Sequence, residues 1–225
     1  MISSDAVNFL PIWHILTRLG EAQILLPAAA LTAIFLFARP ETRRLAVSWM
    51  LLIITAAVIT TASKIAFIGW GVGWADLNFT GISGHAMFAA ATYPILMMTF
   101  LPGRSRGSHR LSLALGCALA VVIGLSRIKV GAHSLSEVLA GLIVGGAVTA
   151  TALAISKASA IAIRPIVPVI LLAWVAVMPF KLHASQTHSL VIRLALVMSG
   201  NETPFTRSDL LRQIRQQSAL PVHGA

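Results

Sequence analysis

Charge is scarce in this chain. Of 225 residues, 17 are Lys or Arg and 7 are Asp or Glu, so 11% are charged, against about 25% in an ordinary soluble domain. That scarcity argues against a soluble domain, and a mean hydropathy of +0.85 agrees. Cysteine is nearly absent as well. Cys117 stands alone, so it has no partner for an internal disulfide and no companion at metal-ligand spacing. Within its apolar block it reads as a small packing residue. The start of the chain lacks the basic segment of a secretion signal. Met1–Asp5 carries no Lys or Arg, and Pro11, His14 and Arg18 interrupt the apolar stretch that follows. Phe9–Leu19 reads instead as a short amphipathic helix lying along a membrane interface. Internal repeats and low-complexity tracts are also missing.

The shortage of acidic residues leaves a formal net charge of +10. In a soluble chain that excess would point to nucleic acid. Here the basic residues gather in short connections between apolar blocks. The pattern reads as membrane orientation and attraction to anionic lipid, with no nucleic-acid partner.

What is abundant is apolar sequence, 57% of the chain. Six blocks stand out, at roughly 22–38, 45–62, 86–101, 111–125, 138–155 and 165–180. Each approaches the ~20 residues needed to cross a bilayer. The expected fold is therefore all-α, an integral membrane bundle of six transmembrane helices over residues 1–182, followed by a polar basic C-terminal tail, 183–225. Gly141, Gly145 and Gly146 in the fifth block leave room for a neighbouring helix. Pro165 suits the first turn of the sixth. In the tail, Ser208–Gln217 is expected to form a short helix capped by Thr206 or Ser208, and the Asn201-Glu-Thr203 sequon, followed by Pro204, is read as chance.

The connections assign sides. Arg39, Arg43 and Arg44, then Arg104, Arg106 and Arg110, then Lys157 and Arg164 occupy the odd-numbered connections, which should face the cytoplasm. The even-numbered connections hold Lys64, Asp76, His85, Arg127, Lys129, His133 and Glu137. Residues with chemistry to offer thus converge on the outer face. The expected location is a cell (inner) membrane, crossed several times, with both termini and the site toward the periplasm or exterior. Trp70, Trp74 and Phe79 read as interface anchors on that side.

These residues suit phosphoryl transfer. Its transition state spreads negative charge over the phosphoryl oxygens and calls for preorganised positive donors. Lys64 and Arg127 are such donors. Ser83 and Gly84 stand where the third apolar helix should begin, where free backbone N–H groups bind anions. His133 has Glu137 four residues on. A carboxylate on one ring nitrogen fixes the tautomer and makes the other nitrogen a nucleophile. His85 is placed to protonate the leaving oxygen and then to activate water. Ser134-Leu-Ser-Glu137 is also a capping-box pattern, so Glu137 has a second possible employment as a helix cap.

The segments Ile82-Ser-Gly-His85 and Ser126-Arg127, with His133 and Glu137 following, resemble the type-2 phosphatidic acid phosphatase superfamily. Its pattern is K-x6-RP, then PSGH, then SR-x5-H-x3-D. The resemblance implies that His133 is the nucleophile, His85 the general acid and Glu137 the orienting carboxylate. It implies that Lys64, Ser83, Gly84 and Arg127 hold the phosphoryl group, and that neither a metal nor another cofactor takes part. This chain departs from the pattern at three places. Gly71-Val72 stands where the first motif has Arg-Pro, Glu137 replaces the aspartate, and Ile82 replaces the proline. Lys129 is the expected substitute for the missing arginine.

The resulting expectation is a membrane hydrolase that removes phosphate from a lipid phosphomonoester or pyrophosphate, of the phosphatidic acid or polyprenyl pyrophosphate class, through a phosphohistidine. Its partners are that substrate and the surrounding membrane lipids; the sequence is silent on oligomeric state. A lipid phosphotransferase with the same site and a non-catalytic headgroup binder or transporter are the alternatives.

Overall fold

The computed structural model describes residues 12–100, 106–156 and 185–212. The elements are α1 (Ile12–Arg18), α2 (Ala22–Phe37), α3 (Pro40–Trp70), α4 (Gly84–Phe100), α5 (Arg106–Lys129), α6 (Leu135–Ser156) and α7 (Ser185–Ser199), followed by a short helix at 207–212. Among the described residues the fold is all-α. The isolated bridge between Trp74 and Phe79 closes the turn between α3 and α4.

Five of the six apolar blocks lie within or largely within α2 to α6. The sixth, 165–180, lies outside the described residues, as do Lys157 and Arg164. Three helices, α3, α5 and α6, are long and apolar enough to cross a membrane, and α1 with α2 makes a fourth if this pair, bent by 44°, is one span. With 17 residues, α4 is shorter. Leu51, Ile54 and Val58 on α3 and Ile143 on α6 point outward, as expected of helices solvated by hydrocarbon.

α4 is the central helix, packed against α5 and α6 and touched by α2 and α3. Small residues let its neighbours approach: Ala86, Ala89 and Ala91 are fully buried. Pro94 lies inside α4 and has no N–H to give the carbonyl one turn back. That carbonyl, Ala90 O, accepts instead from Thr149 Oγ1 of α6 at 2.7 Å. Trp49 Nε1 of α3 donates to the next carbonyl, Ala91 O, at 2.8 Å. α6 comes close because Gly141 and Gly145 carry no Cβ. One added at Gly141 would lie 2.5 Å from Ser83 O, and one at Gly145 would collide with Met87 O. Gly146 faces open space, so the third expected contact glycine is not at this interface. Cys117 is exposed on α5 and does not pack in the core.

The end of α3 anchors the C-terminal part of the chain. Ala195 of α7 and Leu210 are buried with Ile65, Phe67 and Ile68. Asn201 Nδ2 donates to Gly69 O at 2.6 Å, and Phe205 N donates to Ile68 O at 2.9 Å. Thr206 caps the 207–212 helix: Asp209 Oδ2 accepts from Thr206 N at 3.0 Å and from its hydroxyl at 2.6 Å. The segment expected as a polar tail therefore carries a 15-residue helix and a capped turn, both docked on α3.

Candidate functional site

The site forms where α3 ends and α4 and α6 begin. α3 stops at Gly71, whose φ of +68° is left-handed. Its N–H bonds Phe67 O at 2.8 Å, and Val72 N–H bonds Ala66 O at 3.2 Å. Lys64 lies two turns before this stop and faces the start of α4. A Cβ on Gly84 would lie 3.9 Å from Lys64 Nζ, and one on Gly81 would lie 3.2 Å from Lys64 Cγ. Met87 N bonds Ser83 O at 3.0 Å, which makes Ser83 the residue before the helix. The next N–H groups, from Gly84 onward, have no acceptor within it.

Local backbone bonds explain the spacing between Arg127 and His133. The chain beyond α5 folds back on its last turn, with Ala132 N and His133 N both bonded to Arg127 O at 3.0 and 3.2 Å. The His133 ring is thus kept beside the helix that carries Arg127. The Arg127 side chain is held from α1, where its Nη1 donates to Thr17 Oγ1 at 2.6 Å.

Glu137 is fully buried and serves both of the purposes open to it. As a capping residue, its Oε2 accepts from Ser134 N at 3.1 Å, while Ser134 Oγ accepts more weakly from Glu137 N at 3.4 Å. The same Oε2 lies 2.7 Å from His133 Nδ1. An ionised carboxylate only accepts, so Nδ1 carries the proton and Nε2 keeps its lone pair. Oε1 accepts from Thr80 N at 2.8 Å and from Thr80 Oγ1 at 2.5 Å. Arg207 Nη2 reaches both oxygens, at 2.7 and 2.8 Å. Burial pulls the His133 imidazole below its ordinary pKa. The Glu137 contact opposes this, and the nearby Lys64 and Arg127 charges reinforce it.

A cavity of about 610 Å³ joins these groups; its lining includes Lys64, Gly84, His85, Arg127 and His133. Among the described residues neither Lys64 nor Arg127 is ion-paired with a carboxylate. Three buried polar atoms on these elements also have no partner: Thr60 Oγ1, Ser83 Oγ and Arg127 Nε. Glu21 also lines the cavity, and its charge acts on Arg127 without forming an ion pair; the cations and unsatisfied donors still favour an anion there.

Not every expected residue joins it. Lys129 is exposed and outside the cavity lining, because its position at the end of α5 turns it from the face that presents Arg127. The expected substitution of Lys129 for the missing arginine is not met by this geometry. The pattern's arginine position is itself closed. A Cβ on Gly71 would lie 3.1 Å from the Phe205 ring. Ser83 N–H is bonded to Glu137 O at 3.1 Å, so of the Ser83 donors only the hydroxyl is unengaged. Asp76 is an exposed turn residue, and Trp70 and Trp74 are exposed beside it.

Conversely, sequence reasoning did not find Thr17, Thr80, Gly20 or Arg207. Thr17 and Thr80 carry no local signal. Gly20 packs on His85, where an added Cβ would lie 3.1 Å from His85 Cβ. Thr206-Arg-Ser-Asp209 is a capping pattern that marks a helix start, but nothing local says where Arg207 points.

Residues 66–161 match the PAP2 superfamily. That span holds His85, Arg127, His133 and Glu137, while Lys64 and Arg207 lie outside it. A Klebsiella pneumoniae protein described as an uncharacterized 22.5 kDa protein in cps region is 36% identical over 212 residues, 89% of this chain and 98% of the relative. Phosphatidylglycerophosphatase B of Bacillus subtilis (strain 168) is 34% identical over 73 residues, 31% of this chain and 36% of the relative. No solved structure matches the chain. Motif and sequence similarity thus converge on the PAP2 superfamily over residues 66–161 of the chain.

Proposed function

We propose that this protein hydrolyses a lipid phosphate through a phosphohistidine, with His133 as nucleophile and His85 as acid and base. One observation carries the reading. A histidine oriented by a buried carboxylate shares a cavity with a second histidine and two cations that, among the described residues, form no ion pair with a carboxylate.

In the first step His133 Nε2 forms a bond to phosphorus, and the bond from phosphorus to the lipid oxygen breaks. His85 gives its proton to that oxygen. The phosphate brings in negative charge that stabilises protonated His85 and the two cations. Lys64, Arg127 and the N–H groups at the start of α4 take the charge developing on the phosphoryl oxygens. In the second step His85 accepts a proton from water as its oxygen attacks phosphorus. The N–P bond breaks, and inorganic phosphate and neutral His133 are restored.

An apolar groove supports a lipid substrate. It runs between α2 and α3, is lined by Leu26, Ile53, Ile54 and Val58, and shares Ala57, Thr61 and Phe88 with the cavity. An alkyl chain in that groove would place its headgroup among the cations. Phosphatidic acid, a phosphatidylglycerophosphate and a polyprenyl pyrophosphate are the substrate classes to compare. Our reading retains six spans, with the site on the outer side of the cell membrane.

The test is phosphate release from these lipids by purified protein with a chelator present. Release that is lost in His133→Ala, with labelled phosphate trapped on His133 of the wild type, is the expected result. Release that survives in His133→Ala, or that disappears with chelator, overturns the mechanism.

A further inference from the structure

Arg207 lies 70 residues beyond Glu137 in sequence, yet it makes the closest cationic contact of the buried carboxylate. Its Nη2 is 2.7 Å from Oε1 and 2.8 Å from Oε2, and 3.3 Å from Thr80 Oγ1. The side chain is 34% exposed, whereas Glu137 is not exposed at all. Arg207 lines the same cavity as His133. Its placement is built, not incidental. Phe205 covers Gly71, Asn201 and Phe205 bond the last turn of α3, Leu210 is buried beside Ile65 and Phe67, and the Thr206 cap sets the start of the helix that carries Arg207.

A glutamate is one methylene longer than an aspartate and has more freedom to swing. With one oxygen on His133 and the other on Thr80, it needs a constraint that keeps both contacts at once. A cation bonded to both oxygens supplies it, because rotation of the carboxylate would break the pair. The same cation lies one oxygen away from the imidazole, so its field also acts on His133.

We propose that Arg207 is a positioning residue of this site, locking the Glu137 carboxylate that orients His133, and that the chain from Asn201 to Leu210 is an integral arm of the active site. The inference rests on the phosphatase reading for its kinetic consequences, but its geometric core does not. Arg207 opposes protonation of His133 from the Glu137 side, as Lys64 on α3, Arg127 on α5 and any protonated His85 on α4 do from the cavity side. Glu137 favours protonation.

Arg207→Gln and Arg207→Lys in the full-length protein test this, with thermal unfolding to show that each variant folds. Removing an outer partner of an orienting group lowers turnover by about 10–100-fold. Arg207→Gln is therefore expected to lose kcat on that scale while KM changes by less than about threefold, since no ground-state contact to substrate is removed. Its acid limb should move up by about half to one pH unit, because a cation next to the carboxylate is gone. Arg207→Lys keeps the charge on a shorter, non-planar group, so it should keep the wild-type acid limb and recover only part of kcat. NMR titration of the His133 ring in wild type and Arg207→Gln reads the same upward shift without turnover. Absence of phosphate release by the wild type would sink the phosphatase reading, and that titration would still decide the role of Arg207. An unchanged His133 titration overturns the proposal. So does an unchanged kcat, or a rise in KM alone, which would make Arg207 a phosphate ligand.

Discussion

Replacing Glu137 by glutamine is the sharpest perturbation the structure offers, because shape is kept while charge is lost. Every neighbour of the carboxylate is a donor. Oε1 receives Thr80 N–H, Thr80 O–H and Arg207, and Oε2 receives Ser134 N–H, His133 Nδ1–H and Arg207. An amide has one oxygen and one NH2 group, so one set must face a donor. With NH2 toward Thr80, the Thr80 amide loses its acceptor and Arg207 keeps only one of its two. With NH2 toward Ser134, the imidazole can pair only by moving its proton to Nε2, which removes the lone pair proposed to attack phosphorus. Each stranded buried donor costs about 1–3 kcal/mol. Partial exposure of Arg207 softens the loss of the ion pair, so the fold should lose about 2–5 kcal/mol in total. Turning a histidine-orienting carboxylate into an amide costs roughly ten-thousandfold in a hydrolase triad. Here kcat should fall by about a thousand- to ten-thousandfold, or about 4–5.5 kcal/mol of barrier. The assay is phosphate release in detergent micelles, beside a thermal unfolding curve of the same sample. A folded Glu137→Gln protein that keeps more than about a tenth of wild-type kcat, less than about 1.4 kcal/mol of barrier, would refute the orienting role.

Lys64→Ala and Lys129→Ala should part company: the first loses kcat/KM by about a hundredfold or more, and the second, changed at an exposed position off the cavity, keeps near-normal steady-state kinetics. The pH profile follows from His133, whose pKa lies below the ordinary value of 6.5. Its neutral, attacking form persists below that pH, so turnover should hold through pH 6.5 and fall only as pH drops through the lowered value; an acid limb above 6.5 would contradict this. Thr149→Val removes the donor that replaces the missing Pro94 N–H and strands Ala90 O, so thermal unfolding should show a loss of about 1–3 kcal/mol. Gly145→Leu should be worse than Thr149→Val, since its side chain would meet Met87 O at the α4–α6 contact and overpacking at such a contact costs about 1–3 kcal/mol or more, read as lost folded yield or lowered Tm.

Much of the site was readable because it is local. His133 and Glu137 are one helical turn apart, and Arg127 and His133 are joined by a loop that bonds back on itself. Short spacings of that kind constrain geometry before any tertiary contact forms. The competition between a cap and a histidine partner at Glu137 was also visible in sequence, although its outcome was not. One carboxylate has enough lone pairs for both, and the fold uses both. Lys129 lies off the cavity for a related reason. Closeness along a helix is not closeness in space, and a residue two positions from Arg127 points to another face.

The sequence by itself determined the solvent, the helical class and the family likeness. Long uncharged blocks admit little but membrane helices, and the spacing of the His-containing motifs carries the resemblance to a phosphatase family. What only the tertiary structure decided is which distant groups complete the site. Thr17 steadies Arg127 from α1, Thr80 reaches Glu137 from the α3–α4 turn, and Arg207 arrives from the C-terminal arm because Phe205 and Leu210 seat that arm on α3. No periodicity or spacing encodes those contacts. They depend on where packed helices end relative to one another, and only packing settles that.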